Sequence, residues 1–126
     1  MNITARYPDV LARTGITSGF KNVISVDVED YFHAESFADI VERSQWGMYP
    51  SRVENNTMRL LDLFAELKVD ATFFVLGWVA ERFPGLVREI AAGGHEVACH
   101  SYQHHVIYKM EPKGIPRRHV PGQADD

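Results

Sequence analysis

The sequence contains one cysteine, Cys99, among its 126 residues. A single thiol cannot form an intrachain disulfide, so nothing calls for an oxidising compartment, and we expect a cytoplasmic location. No apolar run approaches the roughly 20 residues that span a bilayer, and residues 1–21 lack the basic start, apolar core and cleavage site of a signal peptide. Export and direct membrane insertion are therefore not predicted.

Positive charge is also scarce. The chain has 13 Lys and Arg against 17 Asp and Glu, a formal net charge of -4. Binding to nucleic acid depends on clustered Lys and Arg, so we expect no nucleic-acid partner. The 45% hydrophobic and 24% charged residues are typical of one globular domain.

The two ends of the chain show no sustained hydrophobic period. Residues 1–21 and 111–126 mix polar residues with Pro and Gly, which predicts a disordered lead-in and a disordered tail. The folded part is therefore predicted to span residues 22–110.

Within that span, apolar runs alternate with helical patterns. Ser51 is predicted to be a helix N-cap with Glu54 in the capping-box position, and Pro84 suits the first turn of another helix. The stretch 31–50 is too aromatic for a linker and predicts a packed loop with a short helix, and Cys99 is expected to be a small core residue. The predicted strands cover residues 23–28, 71–76 and 96–99, and the predicted helices cover residues 52–68, 78–82 and 84–92.

This alternation predicts an α/β sheet or barrel with parallel strands, in which functional side chains gather at the carboxyl ends of the strands. Asp27, Glu29 and Asp30 lie at the end of the first strand, and His100 and His104 follow the third. We therefore expect the acids and the histidines to share one rim, although about 70 residues separate them.

Two imidazoles and a carboxylate can hold one divalent ion such as Zn, Fe, Mn or Co, with positions left open for water and substrate. Asp27 is the preferred general base, and Glu29 or Asp30 is the candidate metal carboxylate. The alternatives are that the acids cap a helix or turn and that the histidines lie on a solvated loop by chance. His33 and His95, outside this set, are expected to be packing or surface residues.

Three motifs now resemble a known family. They are residues 25–32 (Ser-Val-Asp-Val-Glu-Asp-Tyr-Phe), residues 70–77 (Asp-Ala-Thr-Phe-Phe-Val-Leu-Gly) and residues 94–104 (Gly-His-Glu-Val-Ala-Cys-His-Ser-Tyr-Gln-His). In this order they resemble the polysaccharide deacetylases with a NodB-homology domain, carbohydrate esterase family 4. The motif Asp-Val-Glu-Asp-Tyr-Phe (residues 27–32) resembles that of the family branch associated with exosortase-linked (PEP-CTERM) exopolysaccharide synthesis.

The resemblance implies the N-terminal part of a distorted (β/α) barrel. It implies hydrolysis of N-acetyl groups, which are non-peptide carbon–nitrogen bonds, on an amino-sugar polysaccharide or oligosaccharide. One divalent ion is implied, with Zn first and Co, Mn, Fe or Ni as alternatives. By position, Asp27 matches the base, His100 and His104 match the metal histidines, and Glu29 or Asp30 matches the metal carboxylate.

The family pattern also contains an Arg-Pro substrate segment, an Asp that orients that Arg, and a late His that acts as general acid. None of these follows Met110. We therefore expect a truncated, inactive fragment whose open sheet edge favours self-association. The alternative is a non-catalytic metal- or glycan-binding remnant that needs a partner.

Overall fold

The computed structural model describes residues 22–111. The predictions for residues 1–21 and 112–126 lie outside the described residues. Within the described part, the strands are β1 (Ser25–Val28), β2 (Thr72–Val75) and β3 (Glu96–Cys99), and the α-helices are α1 (Val53–Leu67), α2 (Gly77–Arg82) and α3 (Pro84–Ala92). Short 3-10 helices cover Tyr31–His33, Glu35–Phe37, Arg43–Met48 and Ile107–Lys109.

The three strands form one parallel sheet in the order β1-β2-β3. Asp27 pairs with Phe74, which in turn pairs with Ala98, so the strands end at the same level. The predicted parallel α/β architecture is confirmed. The residues that follow β1 and β3 consequently meet at one edge of the sheet.

The core forms where the apolar side of the sheet meets the helices. Phe73, Leu76, Val79 and Ile90 are completely buried. A second cluster forms in the stretch 31–50, where the rings of Phe32, His33 and Trp46 pack against that of Trp78, and Tyr49 packs against Phe32. This stretch was predicted to be a packed loop with a short helix. It is packed as expected, but it contains three short 3-10 helices.

Helix α1 begins close to the predicted residue, but its predicted cap is wrong. No side chain caps α1 from the Ncap position, which Arg52 occupies. Instead Ser51 Oγ donates to Asp30 Oδ2 at 2.5 Å, and the Arg52 N–H donates to Asp30 Oδ1 at 2.9 Å. A carboxylate accepts more strongly than a hydroxyl, so the distant Asp30 replaces the local Ser51–Glu54 capping box.

Cys99 was expected in the core, and this prediction is wrong. The thiol is exposed, because β3 is an edge strand among the described residues. Val97 on the same strand is 39% exposed. None of the helices between residues 22 and 111 is both long enough and apolar enough to cross a membrane.

Candidate metal centre

The residues that follow β1 and β3 meet above the sheet edge. Glu29, His100 and His104 each offer one ligand atom, and these three atoms lie within 4.8 Å of one another. Glu29 Oε2 is 3.9 Å from His100 Nε2 and 3.6 Å from His104 Nε2. Two imidazole nitrogens and one carboxylate oxygen are a donor set that suits a divalent ion with open coordination positions.

Unsatisfied polar atoms support this fit. Glu29 Oε2, His100 Nε2 and His104 Nδ1 are buried and have no hydrogen-bond partner among the described residues. Buried polar atoms normally find a partner, because leaving them unpaired costs free energy. One divalent ion would satisfy Glu29 Oε2 and His100 Nε2 together, so the residues present fit such an ion.

Asp27 lies beside this group rather than in it. Its Oδ2 is 3.8 Å from His100 Nε2, and 61% of its side chain is exposed. Asp27 and Glu29 both line an open cleft of about 290 Å³ next to β1, together with Tyr31, Arg52 and Asn56. A carboxylate so exposed beside the candidate ligands can accept a proton from a molecule that enters the cleft.

Asp30 takes a different place. It is only 3% exposed, and both carboxylate oxygens are bonded at the start of α1, to Ser51 and Arg52. It does not belong to the group of Glu29, His100 and His104. The structure therefore brings Glu29 to the histidines, and Asp30 has the helix-capping role that the sequence had offered as the alternative.

The loop that carries the histidines is held by α2. The first N–H groups of this helix, from Gly77 and Trp78, donate to the carbonyls of Ser101 and Tyr102 at 2.8 and 3.0 Å. Gly77 is required for this close approach, because an added Cβ would lie 3.0 Å from Tyr102 Cα and 2.5 Å from its Cδ2. A glycine between a buried strand and a helix is a signal of such close backbone contact in the sequence.

A further residue of the site was missed. Arg43 Nε donates to the Gln103 carbonyl at 3.1 Å, and Nη2 donates to the His104 carbonyl at 3.4 Å. Sixty residues separate Arg43 from Gln103, and no local motif marks it. Only the folded chain shows this contact.

His33 and His95 agree with their predicted packing or surface roles. His33 and His95 are buried, and their Nδ1 atoms accept the N–H groups of Asp30 at 2.8 Å and Ala71 at 3.2 Å. The pKa of His33 is lowered from 6.5 to about 4, chiefly by burial; the Asp30 carboxylate opposes this shift, and nearby His104 contributes to it. His33 therefore stays neutral in the folded protein at mild acid pH.

This low pKa predicts an acid-sensitive fold. Unfolded His33 binds a proton near pH 6.5, whereas folded His33 does so only near pH 4, so acid favours the unfolded chain. Between these two pH values His33 should remove roughly 3 kcal/mol from the free energy of unfolding. Urea unfolding at several pH values, with a chelator present, measures this loss. His33→Gln, which keeps an acceptor, should show a correspondingly smaller loss, and equal pH profiles for both proteins would contradict the prediction.

The sequence of this chain is similar to a known protein family and to several individual proteins. A family model described as polysaccharide deacetylase matches residues 39–120, more than half of the chain. A chitooligosaccharide deacetylase of Rhizobium leguminosarum bv. trifolii is 44% identical over 61 residues, which are 48% of this chain and 28% of the relative. A peptidoglycan-N-acetylglucosamine deacetylase of Bacillus cereus is 43% identical over 54 residues, which are 43% of this chain and 20% of the relative. The chain thus spans less than a third of either relative.

Two solved structures resemble this chain. The Bc1960 peptidoglycan N-acetylglucosamine deacetylase, solved with 4-naphthalen-1-yl-N-oxidanyl-benzamide, gives a TM-score of 0.50 at 27% identity over 72% of this chain and 32% of that chain. A chain described as a polysaccharide deacetylase from Mycobacterium smegmatis gives a TM-score of 0.53 at 29% identity over 71% of this chain and 32% of that chain.

Proposed function

The chain belongs to the polysaccharide deacetylase family, and from this premise we propose that its site hydrolyses N-acetyl groups of an amino-sugar polysaccharide or oligosaccharide with one divalent metal ion. The observation that carries the proposal is the meeting of Glu29, His100 and His104, whose ligand atoms lie within 4.8 Å of one another. About 70 residues separate Glu29 from the two histidines, so only the fold brings these side chains together.

Each residue has a distinct proposed role. Glu29, His100 and His104 would hold the ion, for which Zn fits this donor set and Co, Mn, Fe and Ni are alternatives. A bound divalent ion supplies Lewis-acid polarisation of an amide carbonyl. Asp27 is the proposed general base: its exposed carboxylate accepts the proton of the attacking water. The ligand carboxylate of Glu29 is only 23% exposed and faces both histidines, which suits it to binding rather than proton transfer.

The substrate class is proposed from the relatives. They are named as deacetylases of chitooligosaccharide and of peptidoglycan N-acetylglucosamine, so their common chemistry is an N-acetylated amino sugar. The Asp-Val-Glu-Asp-Tyr-Phe motif of residues 27–32 supports an exopolysaccharide of the exosortase-associated branch as the polymer. A cytoplasmic location, which the single cysteine favours, stays part of the proposal.

The 126-residue chain by itself is proposed to bind the ion without turning over substrate. Residues 22–111 contain the proposed base and the three proposed ligands, but no histidine among them other than His100 lies near the Asp27 carboxylate to act as an acid for the leaving amine. A second candidate role is a non-catalytic metal- or glycan-binding unit that acts with a partner or a second copy. The exposed edge of β3, with Val97 and Cys99, favours that role.

The function can be tested by transplanting the site. The segment of the Bc1960 deacetylase that superposes on this chain is replaced by residues 22–111, and acetate release from an N-acetylglucosamine oligomer is measured with Zn²⁺. We expect the chimera to release acetate, and Asp27→Asn to lower the rate about 100-fold or more because the base is lost. Bound zinc should be the same in both.

Two controls complete this experiment. The 126-residue chain, measured alone, should release no acetate. An aromatic hydroxamate such as the one bound to Bc1960 should bind the chimera only when the ion is present. A folded, zinc-loaded chimera that neither binds the hydroxamate nor releases acetate would refute the proposed function.

A further inference from the structure

His104 has an unusual backbone. Its φ is 54°, and Ser101, three residues earlier, has a φ of 55°. Residues with a side chain rarely adopt this left-handed region, which costs roughly 1 kcal/mol or more for each residue. The turn that presents the His104 imidazole therefore needs contacts that keep it in place.

Two sets of hydrogen bonds provide such contacts. Within the turn, the His104 N–H donates to Ser101 Oγ at 3.1 Å. From outside, the Arg43 guanidinium donates to the carbonyls of Gln103 and His104 at 3.1 and 3.4 Å. A guanidinium is planar and has donors at fixed angles, so two bonds from it determine the relative orientation of the two peptide groups that flank the His104 Cα.

Arg43 is itself held in position. Its guanidinium carbon lies 5.9 Å from the ring centre of Trp46, one turn further along the same 3-10 helix. Trp46 is 3% exposed and packs against His33 and Trp78, at centroid distances of 4.4 and 5.7 Å. The buried aromatic cluster thus fixes the side chain that reaches the histidine turn.

We propose that Arg43 is a positioning residue for the metal centre. By binding the carbonyls of the two peptide groups that flank the His104 Cα, it holds the His104 imidazole toward Glu29 and His100. This inference rests on the proposed function, because it requires that His104 binds the ion. Arg43 touches neither the ion ligands' nitrogens nor Asp27, so it acts only through the backbone of the turn.

The test measures ion affinity in Arg43 variants of the full chain. Arg43→Met keeps a long apolar side chain without donors, and Arg59→Met on the exposed face of α1 is the matched control. Calorimetric titration with Zn²⁺ should give an affinity about 10-fold lower for Arg43→Met and an unchanged affinity for Arg59→Met. The visible absorption of bound Co²⁺, which reports ligand geometry, should change in Arg43→Met alone.

The outcomes separate the two proposals. A wild-type chain that binds neither ion overturns the proposed function and, with it, this inference. A wild-type chain that binds, beside a folded Arg43→Met with equal affinity and an equal Co²⁺ spectrum, overturns only the role of Arg43. Circular dichroism in a chelator establishes folding, and if Arg43→Met does not fold, Arg43→Gln replaces it with the same two outcomes.

Discussion

Replacing His104 by alanine should weaken divalent-ion binding by about 100-fold or more. The imidazole is one of the three proposed ligands, and loss of a direct ligand should cost at least as much as the 10- to 100-fold that outer contacts cost. His100→Ala should have the same effect. Calorimetric titration of each variant with Zn²⁺ measures the loss, and His105→Ala is the matched control because this exposed neighbour lies outside the ligand group.

The same titration decides between the two acids. Glu29→Gln removes the carboxylate that faces both histidines, so binding should weaken, whereas Asp30→Asn should leave it nearly unchanged. Asp30→Asn should instead lower the free energy of unfolding by about 1 to 3 kcal/mol, because charge-assisted bonds to Ser51 and the Arg52 N–H are weakened.

Equal zinc binding by wild type, His100→Ala and His104→Ala would contradict the assignment of the two histidines as ligands.

Gly77→Ala should lower both the stability and the ion affinity of the chain. The added methyl group would meet the backbone of Tyr102 at 3.0 Å, and a backbone atom cannot rotate away as a side chain can. The loop after β3 must therefore shift, which would strain its bonds from the Gly77 and Trp78 N–H groups. We expect a loss of about 2 to 3 kcal/mol in the free energy of unfolding, measured by urea denaturation, and weaker Zn²⁺ binding.

Gly85→Ala is the matched control for this change. Gly85 lies in α3, and a Cβ there would approach only the end of the flexible Arg88 side chain, at 4.0 Å. Alanine favours a helix over glycine by up to about 1 kcal/mol, so this variant should be slightly more stable and should bind Zn²⁺ like the wild type. If Gly77→Ala behaves like Gly85→Ala, the close contact between α2 and the histidine loop is not important.

The sequence predicted regular structure where local pattern is strong. β3 was predicted over its observed residues, and β1 and β2 were placed within one or two residues of theirs. The sequence-based prediction was wrong where a contact with a residue distant in the sequence determines the local structure. Ser51 has a good local N-cap pattern, yet its hydroxyl binds Asp30, 21 residues away. Cysteine is a residue type that is usually buried, yet Cys99 is exposed because its strand lies at an edge of the described sheet.

For the site, the sequence was enough to predict the candidate residues and the end of the sheet at which they meet. It placed acids after one parallel strand and histidines after another, and the chain geometry of parallel strands then requires both groups to lie at the same edge. The folded chain was needed to show which acid lies beside the histidines. Glu29 and Asp30 are adjacent in the sequence, and no local pattern shows which of them points toward the histidines. In the fold, Glu29 lies with His100 and His104, whereas the Asp30 carboxylate accepts the Arg52 N–H at the start of α1.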